Sequence, residues 1–262
     1  MNQRSPFEIA RETTPADALD AMATVLGEAG APRSVNGLHW LGPEQFFGRA
    51  VTLRSLPARP DHLQNAGAAS QAEYGMSPFN LAVSLLDSDH LLVIETRGTG
   101  HFAAGGGTGL TPAFARRAAA IVTDGALRDS SHLESLANQQ GTCVAAGGFT
   151  CQYGSGWMLY PAEVNVPVAL GHALVLPGDF LFGNRDGVVV IPSDNAEEIL
   201  ELAVVNSKLA QAIEHLALTT EKLPGVDILT TSPQVVAYLK MHCPFTARQK
   251  QLADLYLIDE FQ

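Results

Sequence analysis

The sequence predicts a mixed α/β sandwich rather than a regular βαβ series, and three observations carry that expectation. Strand-like apolar runs alternate with helix signals through the first half, short strands follow one another directly in the second half, and a long capped helix succeeds them. At 262 residues the chain can bury a large core, and 46% hydrophobic against 16% charged is the balance of a globular protein. One large domain, or one domain with appended helices, suits that length better than two equal halves.

The first helix opens at Thr13-Thr14-Pro15-Ala16-Asp17, with a hydroxyl cap, a proline in the first turn and an acid near the positive end of the dipole. Ala18, Leu19, Met22 and Leu26 follow at helical spacing. Gly48 to Leu53 reads as a strand leaving a turn and Leu91 to Ile94 as a short buried one, with a helix between them over Ser77 to Leu86. The stretch from Pro57 to Gly75 carries no assignable pattern. A glycine-dense run, GTGHFAAGGGTG at 98–109, leads to an alanine-rich helix whose start is marked by Thr111 as cap and Pro112 at the first helical position.

Ile121 to Thr123 then forms a strand that feeds the turn and charge pair of IVTDGALRD, residues 121–129. Val166–Leu170, Ala173–Leu176 and Gly187–Pro192 read as consecutive strands, separated by turns at Gly171-His172 and Pro177-Gly178-Asp179. Ser193-Asp194 caps a long helix with Glu197 and Glu198 in its first turn and an apolar stripe of Ile199, Leu200, Ala203, Leu209, Ala212, Ile213 and Leu216. Pro224-Gly225 ends that section. Two further helices are expected, one starting at Pro233 and one from about Thr246 to Leu257. The organisation is thus a single α/β domain over 1–219 with a C-terminal helical extension over 220–262.

Composition excludes several function classes. The net charge is −11, and the 16 basic residues are scattered singly apart from Arg116-Arg117, so the concentrated basic face of a nucleic-acid binder is missing. No apolar run approaches the length of a membrane span, and the N-terminus lacks the apolar core of a signal peptide. Three cysteines, Cys143, Cys151 and Cys243, form no CxxC pair, which points to reduced thiols in a cytoplasmic protein rather than to a disulfide framework or a zinc site.

Two motifs could carry chemistry. Gly105-Gly106-Gly107-Thr108-Gly109 precedes a helix N-terminus, where unpaired backbone N–H groups and the dipole suit a carboxylate or phosphate; the other reading is a flexible surface loop. No Gly-Lys-Ser/Thr follows, so it is not a Walker loop. In IVTDGALRD, Arg128 offers a rigid fork for a carboxylate or enolate oxygen, and Asp129 a hard oxygen ligand for Mg²⁺ or Mn²⁺. The other reading is a helix N-cap at Asp129, with Arg128 paired to a surface acid. His101, within the glycine run, is a candidate proton shuttle, and His132 a candidate helper to a metal. The remaining histidines form no ligand-spaced pair and are read as structural. Cys143 and Cys151 are read as buried small hydrophobes. Ser155 lacks the Gly-x-Ser-x-Gly elbow of a serine hydrolase.

Taken in order, GRAVTL at 48–53, the glycine loop before a helix, IVTDGALRD, NVPVALGHALVLPGDFLFGNRDGVVVIP at 165–192 and the AEEIL helix after it resemble one family. It is that of the 4-hydroxy-4-methyl-2-oxoglutarate / 4-carboxy-4-hydroxy-2-oxoadipate aldolases, which also holds the regulator-of-ribonuclease-activity-A proteins. The resemblance covers roughly residues 13 to 205. It implies a swivelling β/β/α sandwich, assembled as a homotrimer or homohexamer with sites at subunit interfaces. It also implies that Gly106, Gly107, Thr108 and Gly109 bind a pyruvoyl carboxylate, that Arg128 contacts the substrate, and that Asp129 holds the cation. Two positions depart from the family pattern: Gly107 stands where aldolase members usually carry an acid used in proton transfer, and Asn184 where another acid is usual. Conversely, the ribonuclease regulators usually lack the acid that this chain keeps as Asp129.

The expected function is a Mg²⁺- or Mn²⁺-dependent lyase that cleaves a C–C bond in a 2-oxo acid through a pyruvate enolate, by retro-aldol cleavage or oxaloacetate-type decarboxylation. His101 and Asp124 are the protein groups available to replace the missing loop acid. The alternative is a non-catalytic member that binds a protein partner.

Overall fold

Strands whose two faces are both apolar must be covered on both sides, and the middle of this chain supplies four of them in succession. In the computed structural model, which describes residues 4–27, 33–59, 61, 71, 73–154, 158–219 and 233–256, contacts divide the chain into two units. One comprises residues 32–193, the other residues 1–31 with 194–262. The boundary expected at 219/220 falls inside the second of these.

The larger unit is built on β1 (Ser34–Val35), β2 (His39–Leu41), β3 (Gln45–Pro57), α3 (Pro78–Ser84), β4 (His90–Glu95), α4 (Gly107–Ala115), β5 (Ala120–Leu127), α5 (Ser130–Gln140), β6 (Cys143–Phe149), β7 (Leu159–Val164), β8 (Val168–Leu170), β9 (Ala173–Val175), β10 (Phe180–Asn184) and β11 (Gly187–Ile191). Nine strands form one mixed sheet in the order β1-β11-β10-β3-β4-β5-β6-β2, with β7 paired to β3 off that path. β3, β4, β5 and β6 run parallel and are linked through α3, α4 and α5, so the centre of the chain does follow a βαβ rhythm, flanked by antiparallel strands. β8 and β9 pair as a separate two-stranded sheet.

Alternation along the strands sorts the core into two layers. Val51, Leu53, Leu92, Ile94, Ile121 and Val144 pack with Leu110, Phe114 and Leu133 of the helices. Their neighbours Ala50, Leu91, Val93, Ala120, Val122 and Ala145 pack with Val168, Leu170, Ala173 and Val175 of the small sheet. The result is the expected β/β/α arrangement, with helices on one face of the large sheet and the β8–β9 hairpin on the other. β1, β2, β6, β7 and β10 had no counterpart in the sequence reading.

Expected boundaries move: the strand read over Ile121 to Thr123, with a turn at Gly125, runs from Ala120 through Gly125 to Leu127. The helix placed at Thr111-Pro112 begins at Gly107, with Gly106 as N-cap and Pro112 inside it. Leu110 N–H donates to Gly106 O at 2.9 Å, so the turn is already closed before the proline, and the Thr111 hydroxyl donates to Gly107 O at 2.7 Å. Thr111 therefore donates back into the helix instead of capping it, and Pro112 sits inside, so residue types that suit a helix start stand one turn within this helix.

Asp124 belongs to the scaffold. Its carboxylate accepts from Thr96 N at 2.7 Å, from the Thr96 hydroxyl at 3.0 Å and from Gly98 N at 2.7 Å, clamping the loop that leaves β4 against β5.

The second unit contains α1 (Pro6–Ile9), α2 (Pro15–Leu26), α6 (Ala196–Thr219), α7 (Pro233–His242) and α8 (Ala247–Tyr256). Thr14 caps α2 as expected, accepting from Asp17 N at 3.2 Å. α2 meets α6 through the Ser207 hydroxyl, which donates to Asp17 and lies 2.9 Å from the Thr13 hydroxyl. Buried Gln249 ties α8 to α6, donating to Glu201 at 2.7 Å and accepting from Lys208 at 2.9 Å. Among the described residues, no helix is long and apolar enough to cross a membrane. Ser155, Pro224-Gly225, Leu257 and most of 57–75 lie outside the described residues.

Asp124→Ala leaves two backbone donors of the β4 loop without their acceptor. The expected cost is about 1–3 kcal/mol, read as a lower urea midpoint; an unchanged midpoint would remove Asp124 from the scaffold.

Candidate active site

Parallel strands gather their carboxyl ends along one edge of a sheet, and the loops leaving those ends are where α/β folds hold ligands. Here the loops after β4, β5 and β6 meet. Residues 103–105 run beside the end of β5, with Ala104 N–H donating to Ala126 O at 2.8 Å and Arg128 N–H donating to Gly105 O at 3.1 Å. After β6, Thr150 N–H donates to Leu127 O at 2.9 Å and closes the other side. The glycine loop and the Arg-Asp pair, 20 residues apart in sequence, are thereby in contact.

That contact is close. A Cβ added at Gly106 would lie 2.6 Å from Arg128 Cγ and 2.9 Å from Asp129 Oδ2, and one at Gly107 would lie 2.4 Å from His132 Cδ2. A side chain at either position would meet the side chains that face it, and neither glycine sits at a positive φ. Gly107 N–H donates to Asp129 Oδ2 at 3.0 Å. Asp129 therefore caps α4, although it stands at the N-cap position of α5. Its backbone is left-handed, with φ 65°, and its side chain makes no capping bond to its own helix. The N-cap reading of Asp129 had the right position and the wrong helix.

Gly107 N–H is thus engaged, whereas among the described residues the next two first-turn donors, Thr108 N–H and Gly109 N–H, have no acceptor. Both residues are exposed, at the positive end of α4. Arg128 Nε lies 3.5 Å from Asp129 Oδ2, a half-exposed pair too solvated to hold the fold together. Among the described residues, no hydrogen bond engages the terminal nitrogens of Arg128. Residues 128–132 and 149–151 line a cavity of about 820 Å³.

His132 was expected only as a helper to a metal and proves to be a wall of this cavity. Cys151, read as buried, is exposed and lines it as well, because it follows β6 into the same loop cluster. Cys143 is buried as expected: its thiol donates to Pro43 O at 3.0 Å, and burial pushes its pKa up to about 12. Asp124 is committed to the β4 loop, and the exposed His101 does not line the cavity; only its carbonyl oxygen takes part nearby, accepting from the Thr150 hydroxyl at 3.5 Å. Asn184 spends its side chain on Asp186 in the β10–β11 turn.

Among the described residues, no three His, Cys, Asp or Glu side chains converge to hold a metal ion. A closed zinc centre does not fit these residues. A hard cation that takes one protein carboxylate and fills its shell with water and substrate oxygens does fit, with Asp129 as that carboxylate.

Fold and site together define an α/β protein that presents helix-terminal N–H donors, an arginine and a carboxylate at the carboxyl ends of parallel strands. The chain belongs to the RraA-like family, whose model, described as Aldolase/RraA, matches residues 15–190, more than half of the sequence. A candidate 4-hydroxy-4-methyl-2-oxoglutarate aldolase of Halalkalibacterium halodurans is 34% identical over 116 residues, covering 43% of this chain and 51% of that protein, so the chain spans about half the length of this relative. In three dimensions it is similar to Streptomyces coelicolor RraAS2, an unusual member of the RNase ES inhibitor RraA protein family, with a TM-score of 0.62 and 27% identity over 80% of this chain and 97% of that one. An uncharacterized protein from Pseudomonas syringae pv. tomato shares the fold, with a TM-score of 0.66 at 17% identity over 83% of this chain and 94% of that one.

The two thiols should separate by reactivity. In the native protein at neutral pH, an aromatic disulfide reagent is expected to modify Cys151 readily. Cys143, held protonated by its raised pKa, should react only after unfolding. Peptide mapping distinguishes them, and equal labelling of both would contradict the burial pattern.

Proposed function

We propose that this protein is a divalent-cation-dependent lyase that cleaves a C–C bond in a 2-oxo acid by way of a pyruvate enolate. One observation supports the reading above the others: two unengaged N–H donors at the start of α4 and the fork of Arg128 stand beside a carboxylate tied to that same helix turn. The aldolase name of the Halalkalibacterium halodurans relative points the same way.

In this reading the substrate carboxylate rests on Thr108 N–H and Gly109 N–H, where dipole and unpaired donors favour an anion. Arg128 faces the 2-oxo oxygen and gains strength of interaction as that oxygen becomes an enolate oxygen. A bound Mg²⁺ or Mn²⁺ at Asp129 supplies further positive charge at that place. The C3–C4 bond breaks, its electron pair becomes the C2–C3 double bond of the enolate, and C3 later takes a proton to give pyruvate. With a 4-hydroxy substrate the departing carbon becomes a carbonyl and its hydroxyl proton passes to water in the open site. With a 3-carboxy substrate it leaves as carbon dioxide. The homotrimer or homohexamer implied by the resemblance belongs to the same proposal.

The alternative, a non-catalytic member acting on a protein partner, draws support from the Streptomyces coelicolor structure's description. It gives no role to the pairing of Arg128 and Asp129 with the start of α4.

Pyruvate release from oxaloacetate and from a 4-hydroxy-2-oxo diacid, in the presence of Mg²⁺ or Mn²⁺, tests the reading. Arg128→Ala and Asp129→Ala are each expected to lower kcat/KM by about 10²–10³-fold. Activity that survives both substitutions sinks the site assignment, and so does a melting temperature that Mg²⁺ with oxalate leaves unmoved.

A further inference from the structure

We propose that His132 is a substrate-contacting residue of this cavity, and that Gly107 is glycine because the His132 ring needs its space. The inference rests on the 2-oxo acid reading of the site. The ideal Cβ of residue 107 would lie 2.4 Å from His132 Cδ2 and 3.4 Å from its Cγ and Nε2. The Cδ2 edge of the ring therefore fills the volume in which any side chain at 107 would begin.

The ring is not there for the fold. His132 is exposed, and among the described residues no hydrogen bond, ion pair or ring contact engages its imidazole. Its backbone, by contrast, is held firmly. His132 N–H and Leu133 N–H both donate to Asp129 O at 2.9 Å, and Leu133 is fully buried behind them. A rigid root carrying a polar ring that lines a cavity and is engaged by no other group among the described residues is the arrangement of a ligand contact.

The chemistry of the neighbours says what the ring contacts. Arg128 and the start of α4 favour an anion. An imidazole brings a directional donor to the same place without a negative charge. His132 thus meets an oxygen of the bound 2-oxo acid in the cavity that it and Arg128 both line.

The test is a double-mutant cycle read by oxalate titration in Mg²⁺, with the melting temperature as a fold control. His132→Ala should shift the melting temperature by less than about 2 °C, because the ring is exposed, and weaken oxalate about tenfold. His132→Gln, which returns a donor close to the Nε2 position, should recover most of that loss. Gly107→Ala should weaken oxalate at least about tenfold by displacing the ring, and Gly107→Ala with His132→Ala should bind no worse than His132→Ala alone. Multiplying losses in the double variant, or oxalate binding unchanged in His132→Ala, overturns the proposal. Arg128→Ala in the same series separates the two levels. Should Arg128→Ala abolish binding while His132→Ala does not, only the histidine inference falls; should Arg128→Ala change nothing, or the unaltered chain not bind oxalate, the site reading falls with it.

Discussion

The bond from Gly107 N–H to the Asp129 carboxylate is the constraint on which the rest of the site depends. It joins the start of one helix to the start of the next across the top of the sheet. A helix N-terminus leaves its first N–H groups unpaired, and α4 has a glycine where a capping hydroxyl or carboxylate would normally stand. Asp129 supplies that carboxylate from outside. To do so it adopts a left-handed backbone, giving up the capping of its own helix. The glycines at 106 and 107 follow from this, since side chains there would collide with Arg128, Asp129 and His132.

The site's electrostatics are local. With a net charge of −11, the chain as a whole repels an anionic substrate at long range. Attraction has to come from groups within a few ångströms: the α4 terminus, its two open N–H donors and the Arg128 guanidinium. Asp129 offsets part of that positive field while its carboxylate holds the first turn of α4. Neutral substitutions at Arg128 and Asp129 therefore act in opposite directions on the field that an incoming anion meets, although both disrupt the same site.

Much of the architecture was legible because it rests on local chemistry. The Thr14 cap of α2, the apolar strands β3, β4 and β11 and the helices from Ser193, Pro233 and Thr246 all carry their signals within a few residues. β6 was not legible, because its alanines and glycines carry little strand propensity of their own. The start of α4 was misplaced because Thr111-Pro112 carries the chemistry of a helix start. Within the site, Arg128 and Asp129 stood out from their charge in an apolar setting, and their link to the glycine loop came from a resemblance. His132 was nearly invisible: its place over Gly107 is a relation between two helices that no spacing along the chain encodes. Cys151 was misread for the same reason, since only the loop cluster after β6 decides whether it faces the core or the cavity.

The left-handed turn at Asp129 also bears on how such a protein can diverge. Few residue types are comfortable with positive φ, and asparagine and glycine join aspartate at the head of them. Either replacement would keep the turn, and the chain could continue to fold while the negative charge disappeared. Architecture and reactivity thus part company at a single codon. A lineage built on this scaffold can retire its chemistry there and keep the surface on which other uses are selected.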